Sequence, residues 1–347
     1  MSASLSLLFT SDSRADGVRE RDFTVGEVPG VLWSPDTRPG RAPLVLIGHG
    51  GGIHKKAPAS AERAKRLVLA CGFHVAAIDA PGHGTRPTTE HDERERDAMF
   101  AAREAGEPEG PIVVRYNACL AEQAVPEWRA TLDALQELPE IGAGGPVGYW
   151  GINMGTAIGV PLVASDARIT AAVFGQHWPD VLVEPAKRIT IPIEFDLQWD
   201  DEHIPRSAGL ALFDAFASTE KTLHANAGRH KQLPRFEADS AVWFFARHLG
   251  AGRGSGAGSG SGPGSGSGAD SGPGPGSGAV SSSGPGSGSG SGAGSGSGLG
   301  SGSGSGAGSS SGLGSGSGSG AGSGPGPSSG AGPDSGSGSR AAGVVAA

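Results

Sequence analysis

Residues 146–159 read PVGYWGINMGTAIG. An apolar run over 146–150 ends on glycine and passes straight into small residues that continue to about Ala164. That pattern predicts a buried strand, a tight turn and a helix. Gly151 and Gly155 stand two before and two after Asn153, and small residues at those places let a strand turn sharply and lift the central side chain above the sheet. The same grammar repeats outward in both directions. Residues 43–48 (PLVLIG) and 73–79 (FHVAAID) are β-branched and aliphatic runs of the kind buried on both faces of a parallel sheet. Further strands are predicted at 168–175, 191–197 and 221–225, with two short antiparallel strands, 21–25 and 31–34, opening the fold. Helices are predicted from an N-cap at Ser60 to about Ala70, stopping near Gly72, and at 90–104, 207–217 and 235–249. A further helical region, 112–138, is expected to break at Pro126. Strands alternating with helices imply an α/β fold: a mostly parallel central sheet covered by helices on both faces. Such sheets carry their sites beyond the C-terminal ends of the strands. The stretch 87–125 is too long for a simple crossover and is expected to form a helical lid. Within it, Glu90–Arg94 and Asp92–Arg96 are spaced as i,i+4 pairs, which predicts a solvated helix face.

The 347-residue chain is not uniform in composition. Residues 251–347 hold 39 of its 63 glycines, no aromatic residue and four charges, Arg253, Asp270, Asp334 and Arg340. Those charges cancel, so the whole net charge of −8 belongs to the first 250 residues. Three parts follow: an N-terminal segment (1–20), one α/β domain (21–250) and a Gly/Ser-rich tail (251–347) expected to be disordered, with too little apolar surface to offset the entropy of ordering. No apolar run is long enough to span a membrane. The short apolar stretch at 5–9 lacks the length and preceding basic residues of a signal peptide. Cys71 and Cys119 form no disulfide framework. An acidic domain without a basic stripe argues against nucleic acid. The expectation is a cytoplasmic protein with a small-molecule partner; oligomeric state is not readable from the sequence.

The polar turns carry the chemistry. HGGG (49–52) follows the strand 43–48, and DAPGHG (79–84) follows the next. GYWGINMGTAIG (148–159) has the form of a nucleophile elbow, with Asn153 at its centre. QWDDEHIP (198–205) and NAGRH (226–230) close two later strands. In this order the motifs resemble the α/β-hydrolase superfamily, in particular its dienelactone-hydrolase-like and small bacterial esterase branch, over nearly all of residues 20–250. The resemblance implies an α/β-hydrolase fold with a helical lid. It also implies triad positions Asn153 (nucleophile), an acid at Asp200 or Asp201, and His230. An acid three residues before an Ile-Pro pair is the family's spacing, so Ile204-Pro205 selects Asp201. His224 falls inside a strand and is expected to be structural. Backbone N–H groups of Gly51 and Met154 would form the oxyanion hole, with Gly151 and Gly155 shaping the elbow. His49, His54, Asp79 and His83 match no zinc spacing, so no metal and no cofactor are expected.

Asparagine has no nucleophilic hydroxyl, so an acyl-enzyme route is closed as written. Asn nevertheless suits an elbow, because it tolerates φ > 0 better than most residues, and its amide can hydrogen-bond to His230. Two classes of function stay open. One is a carbonyl hydrolase acting on a small ester or lactone, including a His–Asp general base working without a nucleophile. The other is a pseudoenzyme or receptor that holds a small carbonyl ligand under its lid. A third route, borrowed from enzymes with Asp at the elbow, would need Tyr116 of the lid as electrophile.

Overall fold

The computed structural model describes residues 6–37 and 40–250, and the backbone of six short strands between Val280 and Ser317. The domain opens with β1 (Leu7–Phe9), β2 (Ser13–Ala15), β3 (Val18–Val25), β4 (Val28–Pro35) and β5 (Leu44–Gly48). It continues with α1 (Pro58–Cys71), β6 (His74–Ile78), α2 (Glu90–Ala105), α3 (Gly110–Gln136), β7 (Val147–Gly151), α4 (Met154–Ser165) and β8 (Ile169–Gly175). A short α5 (Val183–Ala186), then β9 (Ile193–Gln198), α6 (Arg206–Ala215), β10 (Lys221–Asn226) and α7 (Phe236–Leu249) complete it. One ten-stranded sheet runs β1-β3-β4-β6-β5-β7-β8-β9-β10, with β2 paired to β3. The first four strands are antiparallel; from β6 to β10 every pairing is parallel.

The period-two alternation of side chains builds both cores. Leu44, Leu46, Tyr149, Phe174 and Phe195 face α3, α4 and α6, whereas Val45, Ile47, Trp150 and Val173 face α1 and α7. β5 has β6 on one side and β7 on the other, although β6 follows it directly and β7 comes later in the chain. The chain therefore leaves β5 for β6 and returns across it to β7, and in sheets of this kind the ligand crevice lies at that switch point, beyond the C-terminal ends of β5 and β7.

Several elements depart from expectation. The N-terminal segment contributes β1 and β2, which extend the sheet through β3. Ala57 is the N-cap of α1, with Pro58 in the first turn, and Ser60 is buried inside the helix; proline's fixed φ suits a helix start. α3 does not break at Pro126. Ala121, Ala124, Trp128 and Leu132 are buried on both sides of it, and that packing keeps the two halves in one helix. Asp92 is not part of a solvated face. It is buried, closes a capping box with Thr89 and accepts the Tyr116 hydroxyl at 2.9 Å. Most of 251–347, expected as a disordered coil, lies outside the described residues. Its described strands pair in parallel, with Val280 opposite Gly294 and Gly294 opposite Gly308.

Candidate active site

The elbow is a packing problem solved by missing side chains. A Cβ on Gly155 would sit 2.5 Å from the Gly48 carbonyl oxygen, and one on Gly151 would sit 2.4 Å from that of Gly155. The start of α4 therefore presses against the ends of β5 and β7. Tyr149 donates to the Gly155 carbonyl (2.7 Å), and the Thr156 hydroxyl, close to the Gly151 and Gly175 carbonyls, accepts from the Gly175 N–H (3.0 Å). At the apex Asn153 has φ 60° and ψ −121°, one of three non-glycine residues with positive φ among those described. Holding such a conformation costs on the order of 1–3 kcal/mol and needs surroundings that enforce it.

Asn153 is aimed at His230. Its Nδ2 lies 2.7 Å from His230 Nε2, and His230 Nδ1 lies 2.7 Å from Asp201 Oδ2. An ionised Asp201 only accepts, so the Nδ1 proton sits between them and Nε2 is left as an acceptor for the asparagine amide. The other Asp201 oxygen accepts the backbone N–H groups of His203 (2.8 Å) and Ile204 (2.9 Å). Burial raises the Asp201 pKa, but the bonds from His230, Ile204 and His203 outweigh it and leave the carboxyl below its ordinary range. Asp200 is exposed, with its backbone N–H bonded to the Gly228 carbonyl.

Gly51 lies in the loop after β5, and Met154 is the first residue of α4, where a helix has no internal acceptor for its N–H. Gly48 pairs with Gly151 across the sheet, so these two turns emerge side by side.

The histidines of the neighbouring loops are structural braces. His49 accepts the Ala80 N–H at Nε2 (3.0 Å) and faces the Gly50 carbonyl with Nδ1 (2.8 Å); burial pushes its pKa down to about 4. His83 Nδ1 bonds the Pro81 carbonyl at 2.8 Å. Asp79 receives the Lys55 ammonium (2.7 Å) and the backbone N–H groups of Lys55 and Thr85, tying the HGGG loop to the PGHG turn. His54 accepts the Lys56 N–H. Each of the four has its own hydrogen-bond partners, and the His49 and His83 rings stand 5.5 Å apart.

Sequence reasoning missed a second ring of contacts. Gln176, at φ 52° just past β8, donates to the His230 carbonyl (3.0 Å), and Glu202 accepts the His230 N–H (2.9 Å). His203 sets its ring edge-on to His230 at 5.1 Å and holds Glu109, at the foot of α3, at 2.5 Å. Arg103 of α2 pairs with the same Glu109 (2.6 Å), so the helices of the 87–125 segment are latched to the acid loop. Glu202 and His203 lie within the QWDDEHIP motif; Gln176 and Glu109 carry no local signature. Tyr116 is buried and its hydroxyl is committed to Asp92, so it does not stand free as an electrophile.

A mostly parallel sheet covered on both faces, with an elbow after one strand and an acid and a histidine after two later ones, defines an ester-hydrolase scaffold. No family model matches the chain, and no curated protein matches it. Solved structures do. A PEG-bound cold-adapted esterase from an Arctic intertidal metagenomic library is 34% identical, with a TM-score of 0.55, over 69% of this chain and 97% of that one. The native structure of a cold-adapted esterase from an Arctic intertidal metagenomic library is 32% identical, with a TM-score of 0.53, over 70% and 99%. The ferulic acid complex of Est1E from Butyrivibrio proteoclasticus, at 13% identity and a TM-score of 0.50 over 69% and 99%, shares the fold. The chain belongs to the α/β-hydrolase superfamily.

Proposed function

We propose that this chain keeps the ligand site of a small-ester or lactone hydrolase of the dienelactone-hydrolase-like and small esterase branch, and uses it to bind a carbonyl compound without forming an acyl-enzyme. The observation that carries the reading is the 2.7 Å contact from Asn153 Nδ2 to His230 Nε2. The amide N–H occupies the place from which a serine hydroxyl would donate its proton, and it ties up the base lone pair. A carboxamide nitrogen is not a nucleophile. Loss of the nucleophile from a triad costs about 10⁶-fold in rate, or roughly 8 kcal/mol of barrier. Backbone donors at Gly51 and Met154 are suited to a carbonyl oxygen, and the esterases to which the chain is similar support that ligand class.

A second reading keeps turnover: His230, oriented by Asp201, acts as a general base on water. The 2.7 Å His230–Asp201 bond favours it. The two readings separate in one experiment. With p-nitrophenyl acetate, native protein is expected to show no burst, and Asn153→Ser to exceed native turnover at least about tenfold. In that variant the serine proton passes to His230 Nε2, the alkoxide attacks the acyl carbon, and the backbone N–H groups hold the oxyanion. Native turnover equal to that of Asn153→Ser and abolished by His230→Gln would establish the general-base reading. Inactivity of both folded proteins, with a carbonyl ligand still bound, would leave a receptor.

A further inference from the structure

On the face of β9 turned toward α1 and α7, away from the elbow, the sequence places charge where the central strands β5, β7 and β8 are apolar. Ile193, Phe195 and Leu197 point into one core, so Glu194 and Asp196 point to the opposite face. β10 pairs Asp196 with His224, and α7 brings Glu237 and Ser240 down on the same spot. Glu194 and Asp196 are 3% and 1% exposed, yet Glu194 Oε1 and Asp196 Oδ1 have no hydrogen-bond partner. Leaving carboxylate oxygens buried and unpartnered is among the costlier arrangements in a fold, so something else is expected to satisfy them.

We propose that Glu194, Asp196 and His224 bind one divalent first-row transition-metal ion, with Glu237 orienting the imidazole. One ligand atom from each of the three residues lies within 4.8 Å of the others. His224 Nε2 stands 3.9 Å from Glu194 Oε2. An ion bonded at about 2.1 Å to each would draw these atoms in to about 3.0–3.5 Å of one another. His224 Nδ1 is bonded to Glu237 Oε2 at 2.6 Å, the carboxylate–imidazole pairing that fixes the tautomer and frees Nε2 for a metal. Charge closes as well. Glu194, Asp196 and Glu237 are negative, and Arg63, stacked on Trp150, is the cation that acts on Asp196. A divalent ion with neutral His224 brings the total to zero. Two carboxylates and an imidazole, without thiolate, suit zinc and its first-row neighbours rather than the all-oxygen cages of calcium. The His224 side chain is 22% exposed, which gives an ion a way in. The bound ion would cross-link β9 and β10, the strands that lead to Asp201 and His230, without touching a ligand in the crevice.

The test uses the full chain, stripped with chelator, re-equilibrated with zinc chloride and desalted. One zinc per chain, read by inductively coupled plasma mass spectrometry, is expected, with a rise in Tm of about 5 °C. Asp196→Asn and His224→Gln should each lose the ion, while His230→Gln retains it. Should a variant fail to fold, protection of His224 in the native chain from diethylpyrocarbonate by zinc, mapped by mass spectrometry, decides in its place. Absence of stoichiometric zinc in the native chain overturns the proposal. So does zinc retained by folded Asp196→Asn and His224→Gln, or zinc lost on His230→Gln, which would place it in the crevice. None of these outcomes depends on whether Asn153 permits turnover.

Discussion

The elbow and the acidic face of β9 are both crowded and both dominated by polar groups, yet they are balanced in opposite ways. Around Asn153 the polar side-chain atoms find partners: Tyr149 and Thr156 bond backbone, Asn153 bonds His230, and His230 bonds Asp201. Around Asp196 buried oxygens are left over. The first region has its hydrogen bonds closed with asparagine at the apex, whose amide supplies a donor to His230. The second is closed by a proton or, as proposed above, by a bound cation. A satisfied network tolerates a change of chemistry, whereas an unsatisfied one constrains what the solvent must deliver.

The sharpest way to break the first half of the comparison is sterics. Gly155→Val should drive side-chain atoms into the Gly48 carbonyl, destabilising the domain by about 3 kcal/mol or more, read as a fall in urea midpoint. Unchanged stability would mean that the elbow is looser than its geometry. The second half makes a pH prediction. Burial raises Glu194 to about 7 in the fold, against an ordinary 4.5. The native state then holds a proton that the unfolded chain has released, so in metal-free protein this group's contribution is complete below about pH 4.5 and fades as pH rises toward 7. Glu194→Gln should therefore gain stability on native chain over that window, on the order of 2 kcal/mol by neutral pH. Parallel pH–stability curves for the two proteins would count against it. Saturating zinc should shrink the gap, since the ion takes over the proton's task.

Smaller effects sharpen the picture. His203→Ala removes the contact to Glu109 and an edge-on neighbour of His230, and should loosen the α2–α3 segment by about 1 kcal/mol. Hydrogen exchange confined to 90–120 would read it. Deleting residues 255–347 should shift Tm by less than about 2 °C, since those residues carry no aromatic side chain and only Asp270, Asp334 and Arg340 as charges. A larger fall would mean that one of the two regions leans on the tail.

The α/β order was legible because continuous runs such as 43–48 and 73–79 admit few readings, and Gly151, Asn153 and Gly155 specify a turn by their spacing. Strands β1 and β2 were not legible, since three-residue strands make no periodicity of their own. Ser60 misled because a good capping residue was outweighed by Pro58 two positions earlier. Asp92 misled because i,i+4 charge spacing does not reveal that Tyr116, on the next helix, folds over it. In the site, Asp201 and His230 stood out through their motifs, whereas Gln176 and Glu109 reach it only through tertiary folding. The charged face of β9 was hidden in a strand that otherwise reads as core: the pattern IEFDLQ becomes informative only once β10 and α7 are seen to offer His224 and Glu237.

The positive φ at Asn153 also bears on descent. Most residues that replace serine at such a turn force the backbone to relax, and the machinery around it is then free to drift. Asparagine holds the turn open, and its codons differ from a serine pair by a single base. A lineage carrying Asn153 therefore stands one nucleotide away from a hydroxyl in the same pose, with the cost of keeping that pose already met by the fold. Selection for an ester-cleaving descendant would begin from a standing geometry rather than from a rebuilt one.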